Sequence, residues 1–108
     1  MIKMPDDIKL DELRQNASKA TEFLRGMSNE YRLLILCQLA QAESTVNQLE
    51  ETLDLSQSAL SQHLAILRRL HLVKVRKQAR LHYYSLASEE ASAIMATLYQ
   101  KFCQGDKD

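Results

Sequence analysis

The most informative pattern of apolar and polar positions runs from Ser56 to Leu70. Its leucines recur at spacings of four, three and three, as one face of an α-helix requires: Leu60, Leu64, Leu67 and Leu70. Ser56 is a favourable N-cap, because its hydroxyl can accept from the free amides of the first turn. The opposite face carries amides, hydroxyls and arginines: Gln57, Ser58, Ser61, Gln62, Arg68 and Arg69. The segment is therefore predicted to be an amphipathic helix.

The polar face of this helix lacks the Glu and Lys pairs that are common on solvated helices. Short amides and hydroxyls suit base edges and phosphate oxygens, and arginines suit phosphates. We therefore interpret the segment as a DNA recognition helix. An ordinary solvated helix face is the simpler alternative.

The residues before the recognition helix predict a partner helix. Thr45 and Gln48 have the spacing of a capping box, which opens a short helix ending near Leu53. Only Asp54 and Leu55 separate this helix from Ser56. Two helices joined by so short a connection, the second with a DNA-like face, form a helix-turn-helix.

The residues after the recognition helix predict a β-hairpin. His71 stands where a helix often ends in the left-handed conformation, which histidine tolerates at some cost. Apolar residues then alternate with polar ones over 72–76 and 81–86, and the polar link 77–80 joins the two runs. A basic hairpin in this position is a wing, whose tip can reach phosphate or the minor groove.

Three further helices are predicted from apolar spacing. The first covers Asp11 to Arg25, and Gly26 predicts its end or a close passage to the next helix. A second, capped by Ser28, is apolar nearly all round and is expected to form the core. A last helix follows Ser88 and carries a long apolar stripe. The stripes of the first and last helices predict either added core or, as we favour, a homodimer interface.

Length and composition are consistent with this fold. The chain has 108 residues, 45% of them hydrophobic, with 2 glycines and 1 proline, which favours one helical domain. The predicted fold is mainly α with a β-hairpin: a winged helix-turn-helix of five helices plus wing. Its expected limits are residues 10–103, with a flexible lead-in over 1–9 and a frayed tail over 104–108. No apolar run suits a membrane span or a signal peptide, so a cytoplasmic location without membrane contact is expected.

The net charge is zero, but the charges are segregated. Between residues 55 and 88 there are six basic and no acidic residues, which leaves eight basic and fourteen acidic residues elsewhere. Such a basic segment is typical of a polyanion binder. The candidates for base-edge or phosphate contacts are Gln57, Ser58, Ser61, Gln62 and His63. The candidates for positioning contacts to phosphate are Arg68, Arg69, Lys74, Arg76, Lys77 and Arg80.

Three stretches of the sequence resemble the ArsR/SmtB family of bacterial winged-helix repressors. They are Met27-Ser28-Asn29-Glu30-Tyr31-Arg32-Leu33-Leu34-Ile35-Leu36, Leu55-Ser56-Gln57-Ser58-Ala59-Leu60-Ser61-Gln62-His63-Leu64 and Tyr83-Tyr84-Ser85-Leu86. The resemblance covers roughly residues 17–103. It implies a homodimer built on the first and last helices, a palindromic double-stranded operator and release by an inducer.

The family's metal-sensing motifs do not match this chain. The helix before the recognition helix has no Cys or His, and the last helix has only Cys103 at its end. His63, His71 and His82 lack ligand spacing and are interpreted as structural or close to DNA. We therefore expect neither a metal site nor a cofactor.

Cys37 and Cys103 are the two cysteines. From the residues alone, the two cysteines are inert small hydrophobes, free thiols or a redox pair. Their placement, one after Leu-Ile-Leu and one after Tyr-x-x-x, is similar to the HlyU/BigR/SqrR branch of the family. The branch implies that the pair is reduced on DNA and becomes bridged by a disulfide or polysulfide when persulfides react with it. A departure is His71, where these proteins usually have glycine.

Taken with this resemblance, the chain is expected to be a dithiol repressor that persulfides release from DNA through Cys37 and Cys103. The alternative is a metal-independent DNA-binding dimer, constitutive or responsive to oxidants in general, in which the cysteines are core packing. A third interpretation, an enzyme, has little support, because the chain has no acid/base constellation, phosphate-binding glycine loop or Cys/His nucleophile set.

Overall fold

The computed structural model describes residues 9–104. Its helices are α1 (Leu10–Met27), α2 (Glu30–Gln41), α3 (Val46–Leu53), α4 (Gln57–Arg69) and α5 (Glu89–Tyr99), the last continued by a π-helical turn (Gln100–Gln104). Its strands are β1 (Ser44–Thr45), β2 (Val73–Gln78) and β3 (Leu81–Leu86). The predicted five helices and wing are confirmed. The predicted lead-in and tail lie outside the described residues, except for Lys9 and Gln104.

The core lies where α2, α3, α4 and α5 meet the base of the hairpin. Its fully buried large side chains are Ile35, Leu36, Leu49, Leu60, Leu64, Leu67 and Leu72. Three of the four leucines that predicted the recognition helix are therefore interior, and Leu70 packs against them half-buried. Burial of these apolar side chains is the main favourable term in folding.

Helix α2 lies in the core on one side and is exposed on another. Ile35, Leu36 and Leu39 are buried, but Leu34 is 46% exposed. The prediction that α2 forms part of the core is confirmed, and the side of the helix that carries Leu34 is exposed. An exposed leucine in a central helix leaves an apolar surface next to the core.

The junction between α1 and α2 also differs from the prediction. The cap of α2 is Asn29, not Ser28, and its side chain accepts from the amides of Tyr31 and Arg32 at 3.0 and 3.1 Å. Helix α1 continues through Gly26 to Met27. Gly26 therefore permits a close approach instead of ending the helix, because an added Cβ would overlap Cδ1 of Leu72.

The wing is part of a three-stranded antiparallel sheet in the order β1-β3-β2. Strand β1 was not predicted; Ser44 pairs with Tyr84, and Thr45 with Tyr83. Strand β2 extends to Gln78, so the predicted link shortens to Ala79 and Arg80. Ala79 has a positive φ of 58°. His71 has a φ of 63°, which confirms its predicted left-handed conformation.

Candidate nucleic-acid interface and cysteine cavity

The orientation of α4 is set by the caps on both sides of a tight turn. In the capping box, the Thr45 amide donates to Oε1 of Gln48 at 2.8 Å, and the Gln48 amide donates to Oγ1 of Thr45 at 3.2 Å. Asp54 closes α3 with a left-handed φ of 54°. The Ala59 amide then donates to Oγ of Ser56 at 3.1 Å, so α4 begins as predicted. These hydrogen bonds satisfy amides that helix starts leave free.

The residues predicted to form the polar face of α4 are all exposed on the surface of the molecule. They are Gln57, Ser58, Ser61, Gln62, Arg68 and Arg69. Buried leucines hold the other side of the helix against the core. A duplex major groove can therefore approach this face without displacing any core side chain.

His63 differs from its neighbours on α4. It is half-buried, and its ring centroid lies 6.0 Å from that of Tyr31 on α2. Its Nδ1 is buried and has no hydrogen-bond partner among the described residues. Burial, and secondarily the positive charge of Arg32, lowers the pKa of His63 below 6.5. The structure thus places His63 on the flank of α4 that faces α2.

A groove of about 480 Å³ runs between α4 and β3. It is lined by Ser61, Leu64, Ala65, Arg68, Arg69 and Tyr84. Tyr84 was not a predicted site residue, since the alternation in β3 gave its face of the strand but not what that face lies against. The groove is thus lined by two residues with hydroxyl groups and by two arginines, in addition to Leu64 and Ala65.

The basic residues of the wing fall into two groups. Lys74, Lys77 and Arg80 are exposed and not paired with any carboxylate among residues 9–104. Arg76 instead forms a bidentate pair with Glu43, with its Nε 2.8 Å from Oε2 and its Nη2 2.9 Å from Oε1. The prediction that Arg76 contacts phosphate would require it to leave this carboxylate.

Both cysteines line one apolar cavity of about 460 Å³. Cys37 lies half-buried on α2, and Cys103 is exposed in the π-helical turn after α5. Both are free thiols. The other lining residues are Leu33, Leu34, Met95, Leu98, Tyr99 and Phe102. The sequence could not show that the two thiols share a cavity, because this depends on how α2 and α5 pack.

Two features are absent from the described part of the chain, a cluster of metal-binding side chains and a helix able to cross a membrane. Across residues 9–104, no three His, Cys, Asp or Glu side chains come together as a metal site would need. Over the same span no helix has the length and hydropathy needed to cross a bilayer.

Sequence comparison matches this architecture to known regulators. The family model for bacterial regulatory proteins of the arsR family matches residues 29–75, which extend from the cap of α2 into β2. The transcriptional activator HlyU of Vibrio cholerae is 46% identical over 100 residues, which cover 93% of each chain. The chain belongs to the arsR family of bacterial regulatory proteins.

Other members of the arsR family are also similar along most of the chain. The biofilm growth-associated repressor of Agrobacterium fabrum is 33% identical over 94% of this chain and 87% of its own. The structure of reduced HlyU from Vibrio cholerae N16961 superposes with a TM-score of 0.82 at 48% identity, covering 87% of this chain and 99% of that one. The protein is thus a DNA-binding transcription regulator with a winged helix-turn-helix fold, in a family of regulators and not of enzymes.

Proposed function

We propose that this regulator is a homodimeric repressor that leaves its operator when Cys37 and Cys103 react with a persulfide. The observation that carries the proposal is the shared cavity: two cysteines from distant parts of the sequence line the same apolar space. If both cysteines served only as core packing, there would be no reason for them to line the same open cavity. The place of action is the cytoplasm, where thiols are kept reduced until a reactive species arrives.

The proposed reaction uses the persulfide as the oxidant. One cysteine thiolate attacks the outer sulfur of a persulfide R–S–SH, which forms a cysteine persulfide and releases the thiol R–SH. The thiolate of the second cysteine attacks the inner sulfur of this cysteine persulfide, which forms a disulfide and releases H₂S. Two cysteine thiols are oxidised while one persulfide is reduced to a thiol and H₂S. If both cysteines are first persulfidated, the terminal sulfur of one attacks the inner sulfur of the other. This forms a three-sulfur bridge and releases one H₂S.

The dimer is proposed from apolar surface that one chain leaves uncovered. On α1, Leu13 and Leu24 are 53% and 54% exposed, and beyond α5 Phe102 is 72% exposed. Apolar side chains repeated along helices are typical of an interface, and a small domain gains stability by covering them. A two-fold dimer would present two α4 helices to successive major grooves, with half-site centres about 34–36 Å apart.

Bridge formation would act on DNA binding through the position of α2. This helix carries Cys37 and contributes Ile35 and Leu36 to the core in which the inner face of α4 is buried. A bond from α2 to the segment after α5 would fix the distance between the core and the proposed dimer helices. Because that distance sets the spacing of the two recognition helices, the bridged dimer would fit the operator poorly.

The proposal is tested by operator binding of reduced and persulfide-treated protein, followed by fluorescence anisotropy. We expect treatment to release wild-type protein, whereas Cys37→Ser and Cys103→Ser bind DNA normally and do not respond. Mass spectrometry should show the two cysteine peptides linked by a disulfide or by whole sulfur atoms. A full response in Cys103→Ser would contradict the two-cysteine mechanism, and an equal response to peroxide would contradict the selectivity for persulfides.

A second function is favoured by the packing of Cys37 against the core. In that case the chain is a constitutive or generally oxidant-responsive DNA-binding dimer, and Cys37 is a small core hydrophobe. Because Cys103 is exposed in either case, the two functions are separated by thiol titration of Cys103→Ser, in which Cys37 is the remaining cysteine. A core cysteine reacts only after unfolding, whereas a sensor thiol at an open cavity reacts in the native protein.

A further inference from the structure

Arg76 takes part in a set of contacts that use most of its guanidinium group. Besides the two hydrogen bonds to Glu43, its Nη1 donates to Oε1 of Gln78 at 2.6 Å. Its Cζ lies 4.4 Å from the centroid of the Tyr83 ring, in a cation–π contact. Bidentate arginine–carboxylate pairs are the strongest surface ion pairs, and stacking on an aromatic ring adds to them.

These contacts extend across the three strands of the sheet. Tyr83 lies on the central strand and pairs with Arg76 of β2 on one side and Thr45 of β1 on the other. Glu43 directly precedes β1. The side chain of Arg76 therefore crosses the central strand over Tyr83 to reach the segment that follows α2. This connection ties the hairpin to the body of the protein independently of the backbone ladder.

We propose that Glu43, Arg76 and Tyr83 form a strap that sets the orientation of the wing on DNA. Arg76 is then a positioning residue, and phosphate contacts of the wing belong to Lys74, Lys77 and Arg80. A phosphate at Arg76 would compete with a carboxylate that already takes two of its donors. It would also leave the Glu43 carboxylate unpaired next to the DNA backbone, where it would repel phosphate.

The proposal is tested with the full-length protein by measuring operator affinity over a range of salt concentrations. The variants are Glu43→Gln, Arg76→Gln and the double variant, with circular dichroism to confirm folding. We expect both single variants to bind at least about threefold more weakly and the double variant to be no worse than either, since coupled residues are not additive. The salt slope of Arg76→Gln should equal that of the wild type, whereas Lys77→Gln should lower the slope by about two, one for each subunit of the proposed dimer.

The two roles of Arg76 predict opposite changes in the operator affinity of Glu43→Gln. Removal of a negative charge near DNA should by itself tighten binding, so weaker binding of a folded variant points to a displaced wing. Glu51→Gln, a matched neutralisation on an exposed residue of α3, should not weaken binding. Tighter binding of Glu43→Gln together with a slope lowered by about two in Arg76→Gln, one for each subunit, would overturn the proposal and make Arg76 a phosphate ligand.

Discussion

His63 is a residue of the recognition helix that belongs in part to the interior. It was predicted, with Gln62, to be a candidate for base-edge or phosphate contacts, but its ring lies near Tyr31 and the charge of Arg32. The spacing of polar residues along one helix could not reveal this, because the neighbour comes from α2. Its buried Nδ1 has no hydrogen-bond partner within residues 9–104, a condition that is rare for buried polar atoms in native proteins.

The first prediction concerns the titration of His63. Its folded-state pKa lies below 6.5, so near and below that pH the unfolded chain binds more protons than the folded one. The contribution of His63 to the free energy of unfolding is therefore complete above pH 6.5 and falls as pH drops from 6.5 to the folded-state pKa. NMR titration of the imidazole should give a midpoint below 6.5. A midpoint at or above 6.5 would be incompatible with the burial described.

A second residue-scale prediction concerns Gly26. In an exposed helix interior, replacing glycine by alanine stabilises by about 1 kcal/mol. At Gly26 the added Cβ would overlap the buried Leu72, so Gly26→Ala should destabilise by roughly 1–3 kcal/mol. Denaturant unfolding measures the change. The cost should shrink in the Leu72→Val background, where the overlapping methyl is absent, and a stabilising Gly26→Ala would show that the contact is not tight.

At the scale of helices and strands, sequence patterns correctly predicted the features that depend on interactions between neighbouring residues. The Thr45–Gln48 capping box, the Ser56 cap and the left-handed His71 depend on side chains within a few residues of one another, and all three are confirmed. Strand β1 has only two residues and no periodicity of its own, and its pairing depends on β3, far along the sequence. The π-helical turn that carries Cys103 has no local signature either.

The two-residue turn at the tip of the wing holds Ala79 in a left-handed conformation. A two-residue hairpin turn with a positive φ at its first position normally has glycine there, and this chain has Ala79. Ala79→Gly should relieve the left-handed strain and raise the free energy of unfolding by about 0.5–1 kcal/mol. Gln78→Gly is the matched control, which should destabilise because Gln78 lies in the strand. A destabilising Ala79→Gly would indicate that the turn is not strained.

At the scale of the whole molecule, the sequence predicted which surfaces bind partners but not how the sites are joined. The segregated charge pointed to the surface formed by α4 and the hairpin, yet the partner of Arg76 lies outside that segment, at Glu43. Similarly, the resemblance suggested a cysteine pair, but only the packing of α2 with α5 places both thiols on one cavity. Contacts between distant segments are what a single sequence leaves undetermined.

The whole-molecule prediction concerns the proposed dimer. Leu13→Glu combined with Leu24→Glu places charges on the exposed stripe of α1 without touching the core. We expect a folded monomer with at least about tenfold weaker operator binding, because two linked recognition helices gain affinity from their joint attachment. Analytical ultracentrifugation measures the mass. Leu81→Ser, at another exposed leucine that lies on the wing, should leave the dimer intact.

If the double variant were still dimeric, α1 would not form the interface.

The third strand has a consequence for exchanging wings between regulators. A segment cut at residues 73–86 contains both long strands of the hairpin, and it would be the natural unit to graft if the wing were an independent module. In this protein the graft would leave behind the backbone partners of Tyr83 and Tyr84 and the carboxylate that holds Arg76. A working chimera must also carry residues 43–45, so the transferable unit is discontinuous in sequence and spans the recognition helix it serves.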